Sequence, residues 1–167
     1  TGVIGPGDYA PSRAGKLLLD LASSRLPMLI PGGFDWVDVR DVCRGAIAAE
    51  HQGRIGENYI LSGYWHSIRE LAEFAEVITG TKPPRWDFPM QLARLAGPSL
   101  AAIARIIGFD PRFGSDALAS LRANSRISRV KAKNHLAYEP RSIQTSIHDS
   151  YHWFKTHGML DRPLKYQ

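Results

Sequence analysis

The sequence predicts an α/β fold built on a thin, incomplete parallel sheet. Short extended runs alternate with longer helical patterns, the arrangement of strand–helix–strand units rather than of an antiparallel meander. Roughly three or four such runs stand against six or seven helical segments, so the sheet is narrow for the helices that would cover it. The composition agrees: 167 residues with 44% hydrophobic and 22% charged side chains make about one globular domain, and exclude a disordered or fibrous chain.

The elements follow in order. Residues 1–8, TGVIGPGD, read as the end of a buried strand and a turn-rich loop. Residues 13–25 form a helix with an apolar stripe of Leu17, Leu18, Leu19, Leu21 and Ala22. Residues 28–30 and 34–39 are extended, separated by Pro31-Gly32-Gly33. Asp38 is an N-cap with Asp41 three positions on, opening a helix that carries Val42, Cys43, Ala46, Ile47 and Ala49 and stops near Gly53. Residues 57–61 read as a strand ended by Ser62-Gly63. Ser67-Ile68-Arg69-Glu70 is a capping box for a helix buried through Ile68, Leu71, Ala72, Ala75 and Ile78, with Gly80 as its left-handed stop.

Beyond the linker Pro83-Pro84, residues 89–108 are amphipathic and split by Pro98 into two short helices. Ser128 and Ser142 are further N-caps. The last helix, 143–157, aligns Ile143, Ile147, Tyr151 and Phe154 and stops at Gly158.

The net charge of +5 admits an anionic ligand, but the densest basic run, 122–133, reads as a solvated helical face and interleaves no aromatic side chain for stacking bases. Nucleic acid is therefore not expected as a partner. Neither is stable membrane insertion, since no run approaches a span of about 18 apolar residues. One cysteine, Cys43, excludes an internal disulfide, fits a cytoplasmic location and reads as a small buried hydrophobe. The opening Thr1-Gly2-Val3 shows no signal peptide and no initiator methionine, as expected of a processed chain or a piece of a longer one.

Four patterns invite a chemical reading. Thr1 to Gly7 offers glycines for a phosphate loop, but Pro6 removes an N–H donor and Asp8 would repel the anion. Tyr151-His152-Trp153-Phe154-Lys155 has Tyr-x-x-x-Lys spacing, in which a lysine lowers a catalytic tyrosine's pKa. Here Tyr151 falls on the apolar face, which makes it a packing residue. His148 and His152 have metal-ligand spacing, yet Asp149 is too short for the catalytic glutamate of H-E-x-x-H, and both histidines sit off the apolar stripe. No metal is expected. Asp38-Val39-Arg40-Asp41 could set an arginine at a cleft, though two capping aspartates and a solvated Arg40 explain it as well.

Taken together, TGVIGPGD, GGFDWVDVRDVCRGAIAA, GENYILSG with the capped SIREL helix, and YEPRSIQTSIHDSYHWFKTHGML resemble the extended short-chain dehydrogenase/reductases. The nearest branch is the dihydroflavonol-reductase-like group of the NAD-dependent epimerase/dehydratases. The resemblance covers nearly the whole chain and corresponds to the carboxy-terminal half of the family's extended Rossmann-type fold. It implies that residues 1–63 supply late strands and helices of the nucleotide-binding fold. Residues 64–167 would then supply a small, mostly helical substrate-binding lobe.

The family's glycine-rich turn, catalytic Ser and Tyr-x-x-x-Lys would belong to an amino-terminal half. No catalytic residue is therefore expected here, and the chain alone should not transfer hydride. NAD or NADP is the cofactor implied for the complete protein, with Thr1 and Val3 lining its nicotinamide end. Tyr9 and Ser12 would face a small-molecule substrate of carbonyl, hydroxyl or sugar type, and Arg112 would meet its phosphate. The implied partners are the missing amino-terminal half and possible homo-oligomer copies. The alternative is a non-catalytic association module that pairs through its incomplete sheet.

Overall fold

The computed structural model describes residues 1–87 and 127–165. The two helices expected over 89–108, the start of the basic run and Arg112 therefore lie outside the described residues. The rest is α/β, with a three-stranded mixed sheet in the order β1-β2-β3 and five helices among the described residues.

Strand β1 (Gly2–Ile4) leads through helix α1 (Arg13–Ala22) to strand β2 (Gly33–Asp38), which returns parallel to it with Gly2 opposite Trp36 and Ile4 opposite Asp38. Five of the six β2 positions are buried, as a strand covered on both faces requires. Helix α2 (Val39–Gln52) follows directly, capped by Asp38. Strand β3 (Tyr64–Ser67) then pairs antiparallel to β2, and helix α3 (Ile68–Thr79) leaves it through the predicted capping box, ending on left-handed Gly80.

The sheet thus differs from the all-parallel expectation in its second pairing, and the predicted strand is displaced. Residues 57–61 do not pair. Tyr59 and Leu61 instead pack into a cluster with Ala48, Ala49, Ala132 and Leu136, and Tyr59 Oη accepts the Arg54 N–H. Pairing begins after Gly63, whose N–H is taken by buried Asp35 and where any side chain would collide with the Trp36 carbonyl. Residues 28–30 contribute one isolated bridge, Leu29 to Asp87, rather than a strand.

Helix α4 (Val130–Leu136) starts without a side-chain cap, Ser128 Oγ reaching only the Val130 N–H at 3.4 Å. Helix α5 (Ile143–Thr156) is capped by Ser142, as the sequence indicates. The main core gathers Ile4, Leu18, Trp36, Leu71, Ile147 and Phe154 from the sheet, α1, α3 and α5.

Helix α2 is oriented unlike its apolar pattern. It buries Asp41 and Gly45 and leaves Cys43, Ala46 and Ile47 exposed. Gly45 is the reason: Leu61 and Tyr138 approach its backbone so closely that a Cβ would lie 2.7 Å from Leu61 Cδ2. Cys43, read from sequence as a buried hydrophobe, is therefore on the outer side.

Candidate functional site at the carboxyl ends of two parallel strands

Parallel strands present ligand sites outside their carboxyl ends, and β1 and β2 end together at the Ile4–Asp38 pair. The loop leaving β1 bends back over this end. Gly5 and Gly7 take φ values of 142° and 96°, and a Cβ on Gly5 would lie 2.8 Å from Val39 Cγ1. Asp8 ties the loop to α1: its carboxylate accepts the Ser12 N–H at 2.9 Å and the Ser12 hydroxyl at 2.8 Å, while Ser12 Oγ accepts the Gly15 N–H at 3.1 Å. Tyr9 is 71% exposed and rests edge-on against Trp153 and His157.

Beneath the loop lies a network of carboxylates and guanidiniums. Arg40 donates Nε to Asp38 Oδ1 at 2.9 Å, and Nη2 to Asp38 Oδ2 and Asp149 Oδ2, each at 2.7 Å. Arg141 gives Asp41 its backbone N–H at 2.9 Å and two guanidinium donors, and Arg44 pairs with Asp41 as well. Asp38 and Asp41 side chains are essentially inaccessible, whereas Arg40 is about one-third exposed.

Burial pushes both aspartates toward the neutral form, but hydrogen bonds from Arg40 to Asp38, and from Arg141 and Arg44 to Asp41, hold their pKa values below the ordinary range. Asp149 is lowered in the same way, burial opposing bonds from Arg40 and His148. Arg40 is raised by Asp38 and stays charged. The result is a charge-compensated platform that ties α5 and its N-terminal approach to the start of α2. Among the described residues its carboxylates are all paired with guanidiniums.

The structure sets Tyr9 against Trp153 and His157 at the far end of α5 and Ser12 on Asp8, with the Ser12 hydroxyl committed to capping α1. Val3 sits 43% exposed in the outer strand, and exposed Thr1 stands at that strand's amino end, away from the loop. Tyr151 is fully buried and donates its hydroxyl to the Leu18 carbonyl at 2.7 Å, so its Tyr-x-x-x-Lys spacing is a packing feature. His148 faces Asp149 at 3.2 Å and His152 is exposed. Arg141 and Asp149 were not singled out from sequence. Their partners lie about a hundred residues away, and only the VDVRDV run hinted at buried charge.

No family model matches the chain. Curated relatives do. "Sterol demethylase protein B" of Methylococcus capsulatus is 30% identical over 162 residues, covering 95% of this chain and 49% of that protein. The "putative dihydroflavonol 4-reductase" of Synechocystis is 26% identical over 161 residues, covering 94% and 47%. Among solved structures, that of the protein gox2253 superposes with a TM-score of 0.78 at 33% identity, over 96% of this chain and 48% of the other. The chain matches the short-chain dehydrogenase/reductase and epimerase family.

This reductase/epimerase match extends to the fold of the UDP-glucuronic acid 4-epimerase of Bacillus cereus, solved in complex with NAD. It superposes with a TM-score of 0.58 at 18% identity, over 93% of this chain and 41% of the epimerase. The chain spans about half the length of the curated relatives it matches. No helix among the described residues is long and apolar enough to cross a membrane.

Proposed function

We propose that this chain is the substrate-binding, carboxy-terminal portion of an NAD(P)-dependent oxidoreductase or epimerase acting on a small carbonyl, hydroxyl or sugar-type substrate. The observation that carries this reading is the β1–α1–β2 unit, with its glycine-bearing loop folded over the strands' carboxyl ends, in a chain that spans half of reductase-like relatives. Residues 1–63 continue a nucleotide-binding fold and 64–167 supply the substrate lobe. Val3, in the strand that runs into this loop, lines the nicotinamide side, and Tyr9, Ser12 and Arg112 meet substrate; Thr1, at the strand's amino end, is set aside from the cofactor. The cofactor, NAD or NADP, supplies the hydride when bound. The Asp38–Arg40–Asp149 platform positions the loop and α5 beneath the substrate without entering the chemistry.

The test is cofactor binding. A polypeptide that joins this chain to the remaining half of the reductase fold should bind NAD(H) or NADP(H), and this chain alone should turn over no carbonyl substrate. Absence of nicotinamide binding by the joined protein contradicts the proposal.

A further inference from the structure

Helix α5 carries two histidines that the core does not use. Its Ile143, Ile147, Tyr151 and Phe154 side is buried, and His148 and His152 stand off that side, four residues apart. Side chains at this spacing lie one above the other on a helix, with Cβ atoms about 6 Å apart, close enough for two imidazoles to hold one metal ion. His152 is exposed and makes no hydrogen bond or ion pair among the described residues, so both its ring nitrogens are open.

His148 is prepared for the same role. Its Nδ1 lies 3.2 Å from Asp149 Oδ1, and an ionised carboxylate can only accept, so the ring proton sits on Nδ1. Nε2 is then a bare lone pair, the form of imidazole that binds metal, on a side chain 39% exposed. The carboxylate is itself held in place, because Asp149 Oδ2 takes Arg40 Nη2 at 2.7 Å. A carboxylate behind one ring nitrogen orients a metal-binding histidine and raises its basicity. In an H-E-x-x-H helix the residue after the first histidine is the catalytic base. Here that position is Asp149, already committed to His148 and Arg40, so the pair can bind an ion without that catalysis.

We propose that His148 and His152 form a two-nitrogen site for a divalent transition-metal ion on the outer side of α5. No third His, Cys, Asp or Glu joins them in a metal-holding group among the described residues. The remaining positions on the ion therefore fall to water or to a donor atom of another molecule. Two neutral imidazoles favour Cu²⁺ over Ni²⁺ and Zn²⁺, and select against Mg²⁺ and Ca²⁺, which take oxygen ligands. The site is independent of the reductase reading and belongs to this chain by itself.

Calorimetric titration of the chain with the chlorides of Cu²⁺, Ni²⁺, Zn²⁺ and Mg²⁺ tests it. One Cu²⁺ should bind per chain, more tightly than Ni²⁺ or Zn²⁺, and Mg²⁺ should not bind. Losing one of two chelating arms removes the gain of intramolecular capture, so His148→Gln and His152→Gln should each weaken Cu²⁺ binding about 100-fold. Asp149→Ala, which removes the group behind His148, should weaken it about 10-fold. His51→Gln, on exposed α2 surface, should change nothing.

A second readout needs no variant. Substoichiometric Cu²⁺ is paramagnetic and should broaden the ring-proton resonances of His148 and His152 before those of the other histidines. Broadening spread evenly over all the histidines, no saturable uptake of Cu²⁺, or binding retained by both glutamine variants overturns the site. Mg²⁺ bound as tightly as Cu²⁺ assigns the ion to carboxylates and overturns it as well.

Discussion

Asp41 shows how much of this molecule depends on single buried charges. Its carboxylate is inaccessible and meets Arg141 through three donors, with Arg44 alongside. Removing one partner of a buried pair leaves the other unpaired in low dielectric, so Arg141→Ala should cost about 3 kcal/mol, measured as a lower urea midpoint. Two buried tyrosines should respond in opposite directions. Tyr151→Phe loses the bond to the Leu18 carbonyl and should cost about 1 kcal/mol, with kcat of the complete enzyme unchanged if Tyr151 is a packing residue. Tyr138 Oη is buried without a hydrogen-bond partner among the described residues, and burial pushes its pKa up to about 12. Tyr138→Phe removes an unsatisfied group and should be neutral or slightly stabilising in the same urea assay.

The aspartates also set the acid limit. Asp38, Asp41 and Asp149 have lowered pKa values, so the unfolded chain binds more protons than the folded one in acid. Their stabilisation is complete above the unfolded value of about 3.9 and is lost as pH falls through the folded values. The urea midpoint should therefore stay level from about pH 7 to 5 and drop steeply below about 4. Asp41→Asn should start lower and lose less over that range.

Most helix ends and the buried faces of α3 and α5 were legible in the sequence because their signals are local. The Ser67–Glu70 box, the Asp38 and Ser142 caps and the αL glycine after α3 all stand where the residue types put them. The face of α2 and the position of β3 were not legible, because a distant contact decides each. Gly45 admits Leu61 and Tyr138, which turns α2 over, and the close approach of Gly63 to the Trp36 backbone starts the pairing at Tyr64 instead of Glu57. Gly63→Ala should accordingly destabilise the fold by about 2 kcal/mol or more, because the obstruction is backbone and cannot swing aside. Gly56→Ala, with no neighbour near its Cβ, bears only the strain of its φ of 81° and should cost less in the same denaturation series. The loop residues Tyr9 and Ser12 were expectations of the family resemblance, while the Arg141 and Asp149 contacts needed the fold to bring them in.

On the scale of the molecule, the three-stranded sheet leaves the outer sides of β1 and β3 unpaired among the described residues, and α2 turns Cys43, Ala46 and Ile47 outward. The chain spans about half the length of the curated relatives it matches. The most direct measurement is calorimetric titration with NAD(H) and NADP(H) of this chain alone and of the chain joined to the remaining half. The account predicts no saturable binding to the isolated chain and one nicotinamide cofactor bound per joined protein. No binding by the joined protein would contradict it.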